Sequence, residues 1–290
     1  MAATRVELEL AGRTLSIETG KLAKQADGAV LVQYGETVVL GTAVTGPPRE
    51  GIDFFPLTVD YREKLSAAGK FPGGFRKREG APNQKEILTM RNIDRPIRPL
   101  FPKGYYDEVQ IQCWVLAADG QNEPDVLAGI AASAALAISS IPFQGPVGNV
   151  RVGRVDGQLV LMPTAAQAEY SDLDLLLCGH NDGLNMIEVG AQEITEADML
   201  KACEFGFEAV KQVVGLIQEL VSKAGKPKSE PNLDLPSQEI IDKVNNGLGA
   251  ALKAALTSEG TKLDRKEAVS KAKKEFIAAN WPEPDENATF

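Results

Sequence analysis

The sequence has very little histidine and cysteine and lacks a long apolar run. It contains one histidine and three cysteines in 290 residues. The cysteines are far apart, odd in number and without metal-ligand spacing, which predicts reduced thiols in a core. No run of about 18 apolar residues occurs, so no membrane span is expected. The N-terminus also lacks the pattern of a signal or transit peptide, and we expect a cytoplasmic location.

The motifs of several enzyme classes are missing too. The chain has no Gly-x4-Gly-Lys-Ser/Thr loop, which excludes a P-loop, and no Gly-x-Gly-x-x-Gly segment. It has no Gly-x-Ser-x-Gly elbow, and His180 would be the only base for a serine nucleophile. Asp172 and Asp174 are two residues apart on a predicted strand, so they face opposite ways and cannot jointly hold one metal ion. One of them could still bind Mg²⁺, although a surface acid is the simpler interpretation.

Positive charge is concentrated in one stretch of an acidic chain. The whole chain has 31 Lys and Arg against 40 Asp and Glu, a net charge of −9. Residues 62–103 hold eleven of the basic residues and four of the acidic ones, which gives a local charge of +7. Such a basic island on an acidic body favours one dedicated anionic ligand over non-specific coating of DNA.

The centre of this stretch is the loop Gly73-Gly-Phe-Arg-Lys-Arg78. A base can stack on Phe75 while Lys77 and Arg78 hold phosphates, as in proteins that bind single strands of any sequence. The alternative is a solvated charged loop with Phe75 packed in the core. Three further arginines follow in the same stretch, and both interpretations stay open at this point.

Hydrophobic periodicity predicts strands interspersed with helices. Two hairpins are expected over 5–20 and 28–44, and the second, with its turn at Gly35-Glu36, is expected to be buried on both faces. Further strands are expected over 54–61, 109–116, 147–155, 158–162, 172–178 and 185–189.

The first predicted helix begins at Gln84, after a capping box formed by Asn83 and Glu86. Pro96 is expected to end it, so residues 95–99 would form a stiff extended segment that presents two guanidinium groups. A second helix, over 124–139, is rich in small residues that allow close packing on a sheet. The third begins after Thr195 and ends at Gly225, with an apolar stripe made of Met199, Cys203, Phe207, Val210, Val214, Ile217 and Val221.

The composition changes over 226–236, where a Pro-rich segment predicts a linker. Beyond it, two amphipathic helices are expected over 238–256 and 264–279, and residues 281–290 are expected to be loop-like. The abrupt end suggests a fragment of a longer protein. The predicted domains are therefore a core over 1–225, a linker over 226–236 and an all-α domain over 237–290.

Several segments, in order, resemble the RNase PH family of phosphorolytic ribonucleases. Asp27-Gly-Ala-Val-Leu-Val-Gln-Tyr-Gly-Glu-Thr-Val-Val-Leu-Gly-Thr42 is similar to the opening hairpin of that family. Residues 55–61, 68–80 and 93–102 resemble the first core domain of the polynucleotide phosphorylases within it. The match covers about residues 5–225, and the helix pair resembles their all-helical middle domain. The resemblance implies an α+β, RNase PH-like (ribosomal protein S5 domain 2-like) core followed by a small all-α domain.

This resemblance implies a protein more than twice as long, with a second core and then KH and S1 RNA-binding domains, assembled as a homotrimeric ring. Such enzymes degrade single-stranded RNA, including mRNA, from the 3′ end with inorganic phosphate as co-substrate, release nucleoside diphosphates and need Mg²⁺. Partners in RNA degradation are implied as well. The second core would bind Mg²⁺ and carry the nucleotidyltransferase chemistry, so we expect this chain alone to be inactive.

The resemblance also implies that this core has lost its catalytic residues. Where the catalytic core has phosphate-binding serines, this chain has Glu123-Pro-Asp125, whose carboxylates repel phosphate. Asp174 matches the acid of an Asp-x-Lys motif, but Leu176 stands at the lysine position and Ala168 at that of a second acid. We therefore expect no catalytic residue and no metal ligand in this chain.

The basic loop is similar to a Phe-Phe-Arg-Arg loop of the family. Phe75 fits the first aromatic residue and Arg76 replaces the second, so one stacking surface is lost and one cation is gained. Contacts with single-stranded RNA are accordingly predicted for Phe75, Arg76, Lys77, Arg78, Arg91, Arg95 and Arg98. Two rival functions remain: a free-standing RNase PH-type enzyme, and a non-enzymatic RNA-binding ring subunit of the exosome type.

Overall fold

The computed structural model describes residues 3–281, and these form two compact units. Among the described residues, the first unit comprises residues 3–49 together with Phe55–Asn232, and the second comprises Glu50–Phe54 and residues 233–281. The predicted α+β class is confirmed for the first unit, which contains two sheets and four α-helices. Within residues 3–281, no helix is long and apolar enough to cross a membrane.

The first sheet contains both predicted hairpins. Its six strands lie in the order β1-β2-β3-β4-β6-β5, and only the β5–β6 pair is parallel. The turn between β1 and β2 is made by Ala11 and Gly12, both with positive φ, as a two-residue hairpin turn requires. The strands are β1 (Thr4–Leu10), β2 (Arg13–Thr19), β3 (Gly28–Tyr34), β4 (Thr37–Gly46), β5 (Leu57–Glu63) and β6 (Glu108–Ala117).

The second sheet confirms the four later strands. It is antiparallel throughout, with the order β10-β9-β7-β8. Its strands are β7 (Gly148–Val155), β8 (Gln158–Leu161), β9 (Leu173–His180) and β10 (Gly183–Ala191).

The helices of the first unit are α1 (Gln84–Ile97), α2 (Pro124–Ile138), α3 (Ala165–Glu169) and α4 (Glu196–Ala224). Helix α3 was not predicted. It is a single short turn that begins with a capping box between Thr164 and Gln167. In α4 three residues of the predicted stripe, Val210, Val214 and Ile217, are buried, and its other four are partly buried against the core. The buried face also includes residues outside the stripe, such as Ala202 and Gly206.

Helix α2 is the centre of the core, and it contacts both β3 and β4 of the first sheet and β7 of the second. Every residue of α2 after Asp125 is buried. Two strand glycines permit this approach: a Cβ at Gly28 would lie 2.0 Å from the Ala135 carbonyl oxygen, and one at Gly41 would lie 2.7 Å from the Ala131 Cβ. The close packing that the small residues of this helix predicted is therefore present.

The expectation that the second hairpin is buried on both faces is wrong. Burial alternates along β3 and β4, so that Val30 and Val32 are buried while Leu31 and Leu40 are half-buried. The physical reason is that α2 covers one face of the sheet. On the same outer face, Trp114 of β6 is exposed.

The expectation that Pro96 ends the first helix is also wrong. Helix α1 continues to Ile97, and a 3-10 turn follows over Arg98–Leu100. Proline in the last turn removes only one backbone hydrogen bond, and the burial of Pro96 and Ile97 in the core offsets that loss. The segment that was expected to be extended is therefore helical.

The second unit contains the two later helices at their predicted positions. They are α5 (Gln238–Leu256) and α6 (Lys262–Asn280), and they pack against each other. A Cβ at Gly247 would lie 2.4 Å from the Phe276 ring, which shows how closely the helices approach. Of the loop expected over 281–290, only Trp281 belongs to the described residues, and residues 282–290 lie outside them.

The first part of the predicted linker lies within the first unit. The Lys228 ammonium donates to three carbonyl oxygens at the C-terminal end of α2, those of Leu136, Ala137 and Ser139, at 2.8–3.0 Å. The backbone N–H of Ser229 donates to the Ser140 carbonyl at 2.8 Å. The division between the units consequently falls between Asn232 and Leu233.

Candidate nucleic-acid interface

The basic loop, defined here as residues 64–82, is closed at its base by one buried carboxylate. The two Glu86 oxygens accept hydrogen bonds from the backbone N–H groups of Glu63, at 2.9 Å, and of Asn83, at 2.7 Å. The Asn83 side chain accepts in return from the Glu86 N–H at 2.9 Å, which completes the predicted capping box. Glu86 therefore joins the end of β5 to the start of α1.

Further contacts hold the first and last residues of the basic loop together. Arg62 donates to the Gly80 carbonyl at 2.8 Å, and the Leu65 N–H donates to the Glu79 carboxylate at 3.0 Å. The Lys64 ammonium lies 3.7 Å from the centre of the Trp114 ring, a cation–π contact. Two hydrogen bonds and one cation–π contact thus hold the base of the loop in place.

The tip of the basic loop, residues 70–78, extends into solvent. Phe75 is fully exposed, so the alternative that packs this ring in the core does not occur. Arg76, Lys77 and Arg78 are exposed as well, and within residues 3–281 none of the three forms an ion pair. Gly74 and Lys77 have positive φ, which turns the chain sharply at the tip. One ring and three cations are accordingly available to a ligand.

The other three predicted arginines, two on α1 and one in the 3-10 turn that follows it, line one cleft. Its volume is about 1080 Å³, and it lies between α1 and β10, with Glu188 on the strand side. Arg91 and Arg95 are exposed. Arg98 is committed to the protein itself, since it pairs with Asp94 at 2.5 Å and donates to two backbone carbonyls of residues 55 and 57. The seven predicted residues therefore form two groups, four at the loop tip and three in the cleft.

Helices α1 and α2 begin beside a group of compensated charges. The Lys85 ammonium lies 2.8 Å from Glu123 and 3.3 Å from Glu63. Burial lowers the pKa of Lys85, but the two carboxylates outweigh burial and raise it overall. Glu123 is one of the two acids at the positions where the similar catalytic core has serines.

The second of these acids, Asp125, is paired with Arg151 of β7. The two groups are 2.9 Å apart and both are largely buried, and the Arg151 Nε lies 3.0 Å from Asp174. Burial opposes the charge of Arg151, but Asp125 and Asp174 outweigh it and raise the pKa of the guanidinium. A phosphate placed here would be repelled by the Glu123 and Asp125 carboxylates. The nearby cations, Lys85 and Arg151, already form ion pairs with these carboxylates.

The carboxylates near β9 are paired with arginines. Asp174 contacts Arg151, and Asp172 accepts from two nitrogens of Arg154 at 2.7 and 2.9 Å. The hydrogen bond from Arg154 lowers the pKa of Asp172. Within residues 3–281, no three acidic, histidine or cysteine side chains are grouped as metal ligands would be. The residues present do not fit a magnesium site, because arginines already neutralise the two acids.

One exposed aromatic residue of the loop tip, Phe71, is not among the predicted RNA contacts. Phe71 is exposed like Phe75, and it lies between Lys70 and Pro72. An aromatic residue in a loop that alternates proline, glycine and cations has no regular position in a core. The position of Phe71 in such a loop is therefore the sequence feature that indicates an exposed ring.

Comparisons with known proteins identify related chains. Residues 11–142 match the model of domain 1 of the 3′ exoribonuclease family, and residues 145–209 match the model of domain 2 of the same family. A polyribonucleotide nucleotidyltransferase of Heliobacterium modesticaldum is 50% identical over 276 residues, which cover 95% of this chain and 39% of that protein. One of Staphylococcus epidermidis is 54% identical over 239 residues, covering 82% of this chain and 34% of that protein.

The chain therefore spans little more than a third of the length of these relatives. Among solved structures, rice (Oryza sativa) Rrp46 is similar, with a TM-score of 0.58. The alignment covers 76% of this chain and 94% of that one, at 14% sequence identity. At this identity the likeness concerns the fold alone.

Proposed function

Because the chain belongs to the 3′ exoribonuclease family, we propose that it is the N-terminal part of a polyribonucleotide nucleotidyltransferase, a phosphorolytic 3′–5′ exoribonuclease. In this proposal the chain guides single-stranded RNA and contributes to a ring, while the chemistry takes place in another part of the whole protein. The substrates would be RNA, including mRNA, and inorganic phosphate, and the products would be nucleoside diphosphates.

The observation that carries the RNA-guiding function is the exposed tip of the basic loop on its fixed base. Arg76, Lys77 and Arg78 offer three cations beside the Phe75 ring, the combination that binds single strands through phosphates and stacked bases. A fixed base reduces the conformational entropy that is lost on binding. Arg91 and Arg95, which line the cleft along α1, would extend the same path, whereas Arg98 would contribute mainly by holding the helix.

The compensated charges at Glu123 and Asp125 support the placement of the chemistry elsewhere. A phosphate nucleophile needs uncompensated cations and hydroxyl donors, and here Lys85 and Arg151 are each paired with carboxylates. Mg²⁺ would likewise be bound by another part of the whole protein, since the acids near β9 do not fit it. This arrangement argues against the rival function of a free-standing RNase PH-type enzyme.

The outer face of the first sheet supports a role in assembly. Val44, Trp114 and Leu116 lie there with exposed side chains, and exposed apolar surfaces of this kind mark contacts with other chains. A homotrimeric ring in the cytoplasm, with further partners in RNA degradation, is part of the proposal. The rival of a non-enzymatic, exosome-type ring subunit shares the RNA-binding surface but would form no nucleotidyltransferase in any assembly.

A salt series with a labelled single-stranded RNA tests the proposed function. The double variant Lys77→Ala/Arg78→Ala should weaken binding and reduce the slope of log K against log salt by about 1.4, because each lost phosphate contact removes about 0.7. The matched control is Lys273→Ala/Lys274→Ala, which removes the same charge from exposed positions on α6. If the loop variant and the wild type have the same affinity and slope, the RNA-guiding function is wrong.

Enzymatic activity of the chain alone tests the rival function of a free-standing enzyme. The 290-residue chain should release no nucleoside diphosphate from RNA in the presence of phosphate and Mg²⁺. Phosphate-dependent release by the chain alone would favour the free-standing enzyme.

A further inference from the structure

The basic loop carries a second exposed ring that the proposed function does not use. Phe71 is 92% exposed and Phe75 is 103% exposed, the two highest values for large apolar side chains among residues 3–281. A phenylalanine left in water forgoes about 1.5–3 kcal/mol of burial free energy. Two such rings in one short loop indicate a surface that a ligand completes.

The two rings lie on either side of a glycine pair. A Cβ at Gly73 or Gly74 would contact no other atom within 4 Å, so the backbone between the rings is surrounded by open space. Phe71 and Phe75 are four residues apart, and the chain between them spans at most about 14 Å. Because glycine is conformationally permissive, each ring can adjust its tilt separately, and two bases of one strand can contact the two rings.

The surrounding charges select the class of ligand. Lys70 precedes Phe71, three cations follow Phe75, and no acidic residue occurs between Leu65 and Arg78. A protein partner would favour a continuous apolar patch. Two separate rings flanked by cations instead match unpaired bases carried on a phosphate backbone.

We propose that Phe71 is a second base-stacking residue, so that the loop tip holds single-stranded RNA between the Phe71 and Phe75 rings. This inference rests on the proposed RNA-guiding function and adds a binding residue and a ligand feature to it, namely two unpaired bases. With Phe71 the loop tip offers two exposed rings, although the residue that follows Phe75 is Arg76 and not a second aromatic residue.

Binding of two probes to the full 290-residue chain tests this inference. One probe is a short oligoadenylate, and the other is an abasic oligomer with the same number of phosphates. Phe71→Leu keeps an apolar side chain but removes the ring, and it should weaken oligoadenylate binding by about 5- to 150-fold, the range for one stacked base. Binding of the abasic oligomer should not change. Phe71→Tyr keeps an aromatic ring and should bind oligoadenylate about as tightly as the wild type does.

The remaining outcomes separate this inference from the function on which it rests. If Phe71→Leu binds oligoadenylate as the wild type does while Lys77→Ala/Arg78→Ala loses it, RNA guiding stands and stacking by Phe71 is wrong. An equal loss on both probes would mean that Phe71 shapes the loop, and a changed oligomeric state without a change in binding would assign it to a protein contact. Either outcome overturns the inference, and a wild type that binds neither probe overturns both proposals.

Discussion

The backbone N–H of Glu63 donates a hydrogen bond of 2.9 Å to the side chain of Glu86, 23 residues further along the chain. Because Glu63 precedes the basic loop and Glu86 follows it, this bond fixes the distance between the two ends of the loop. The loop tip can therefore be exposed and rich in glycine without loss of its position on the first unit. A positioned but exposed tip is what a guide for a flexible single strand requires.

The substitution Glu86→Gln should destabilise the first unit. The amide has one acceptor oxygen in place of two, so either the Glu63 or the Asn83 N–H loses its partner in a buried position. We expect the free energy of unfolding to fall by about 1–3 kcal/mol, measured by urea titration. Glu79→Gln is the matched control, because Glu79 also accepts a backbone N–H in this loop but is exposed. Equal losses in the two variants would contradict the special role of the buried carboxylate.

The glycine at the contact between β3 and α2 should tolerate no side chain. A Cβ at Gly28 would lie 2.0 Å from the Ala135 carbonyl oxygen, a backbone atom that cannot rotate away. We expect Gly28→Ala to lower the free energy of unfolding by about 3 kcal/mol, at the upper end for overpacked cores. Gly46→Ala, where a Cβ would meet no atom within 4 Å, should change it by less than about 0.5 kcal/mol. Thermal or urea unfolding that ranks the two variants in the opposite order would refute the packing argument.

The sequence predicted those features that depend on local patterns. Alternating apolar residues located the first hairpin, a hydrophobic run with a turn at Gly35-Glu36 located the second, small residues located the buried helix α2, and the spacing of Asn83 and Glu86 located the start of α1. The prediction at Pro96 failed because a local rule about proline was outweighed by burial of the last helical turn. Propensity is regularly overridden by tertiary packing in this way.

The candidate site was predictable in its charges but not in its supporting contacts. The four predicted residues of the loop tip are indeed accessible, and the other three predicted arginines, on α1 and in the turn after it, do share a cleft. The bond between Glu63 and Glu86 and the commitment of Arg98 to backbone carbonyls could not be predicted, because both join segments that only the fold brings together. Exposure of Phe71 also depends on the course of the loop.

The stabilising effect of Asp119 should disappear in acid. Burial raises the pKa of this carboxyl, but hydrogen bonds from the backbone N–H groups of Asn122, Gln121 and Glu36 hold it well below the usual range. Since the pKa is lower in the folded chain than in the unfolded one, the contribution is fully present at neutral pH. It begins to decrease as the pH falls below about 3.9, the unfolded-state pKa, and is lost as the pH falls through the lower folded-state pKa. Asp119→Asn should therefore cost about 1–3 kcal/mol at pH 7 and progressively less toward pH 3.

Urea titrations of the wild type and of Asp119→Asn at several pH values measure how the cost of the substitution depends on pH. The exposed Glu259→Gln is a control for the loss of one surface charge and should change stability little at any pH. A cost of Asp119→Asn that stays constant down to pH 3 would show that the hydrogen bonds do not depend on the ionised carboxylate.

Arg151 allows a buried and an exposed carboxylate to be compared on one guanidinium. The Asp125 side chain is 10% exposed and the Asp174 side chain 67%, while both lie within 3.0 Å of Arg151. Asp125→Asn leaves a largely buried cation without its main partner, so the free energy of unfolding should fall by about 3 kcal/mol. Asp174→Asn removes the same charge in contact with water and should cost less than about 1 kcal/mol. A double-mutant cycle of each variant with Arg151→Met measures the two coupling energies. Equal coupling energies would mean that burial of Asp125 does not strengthen its interaction with Arg151.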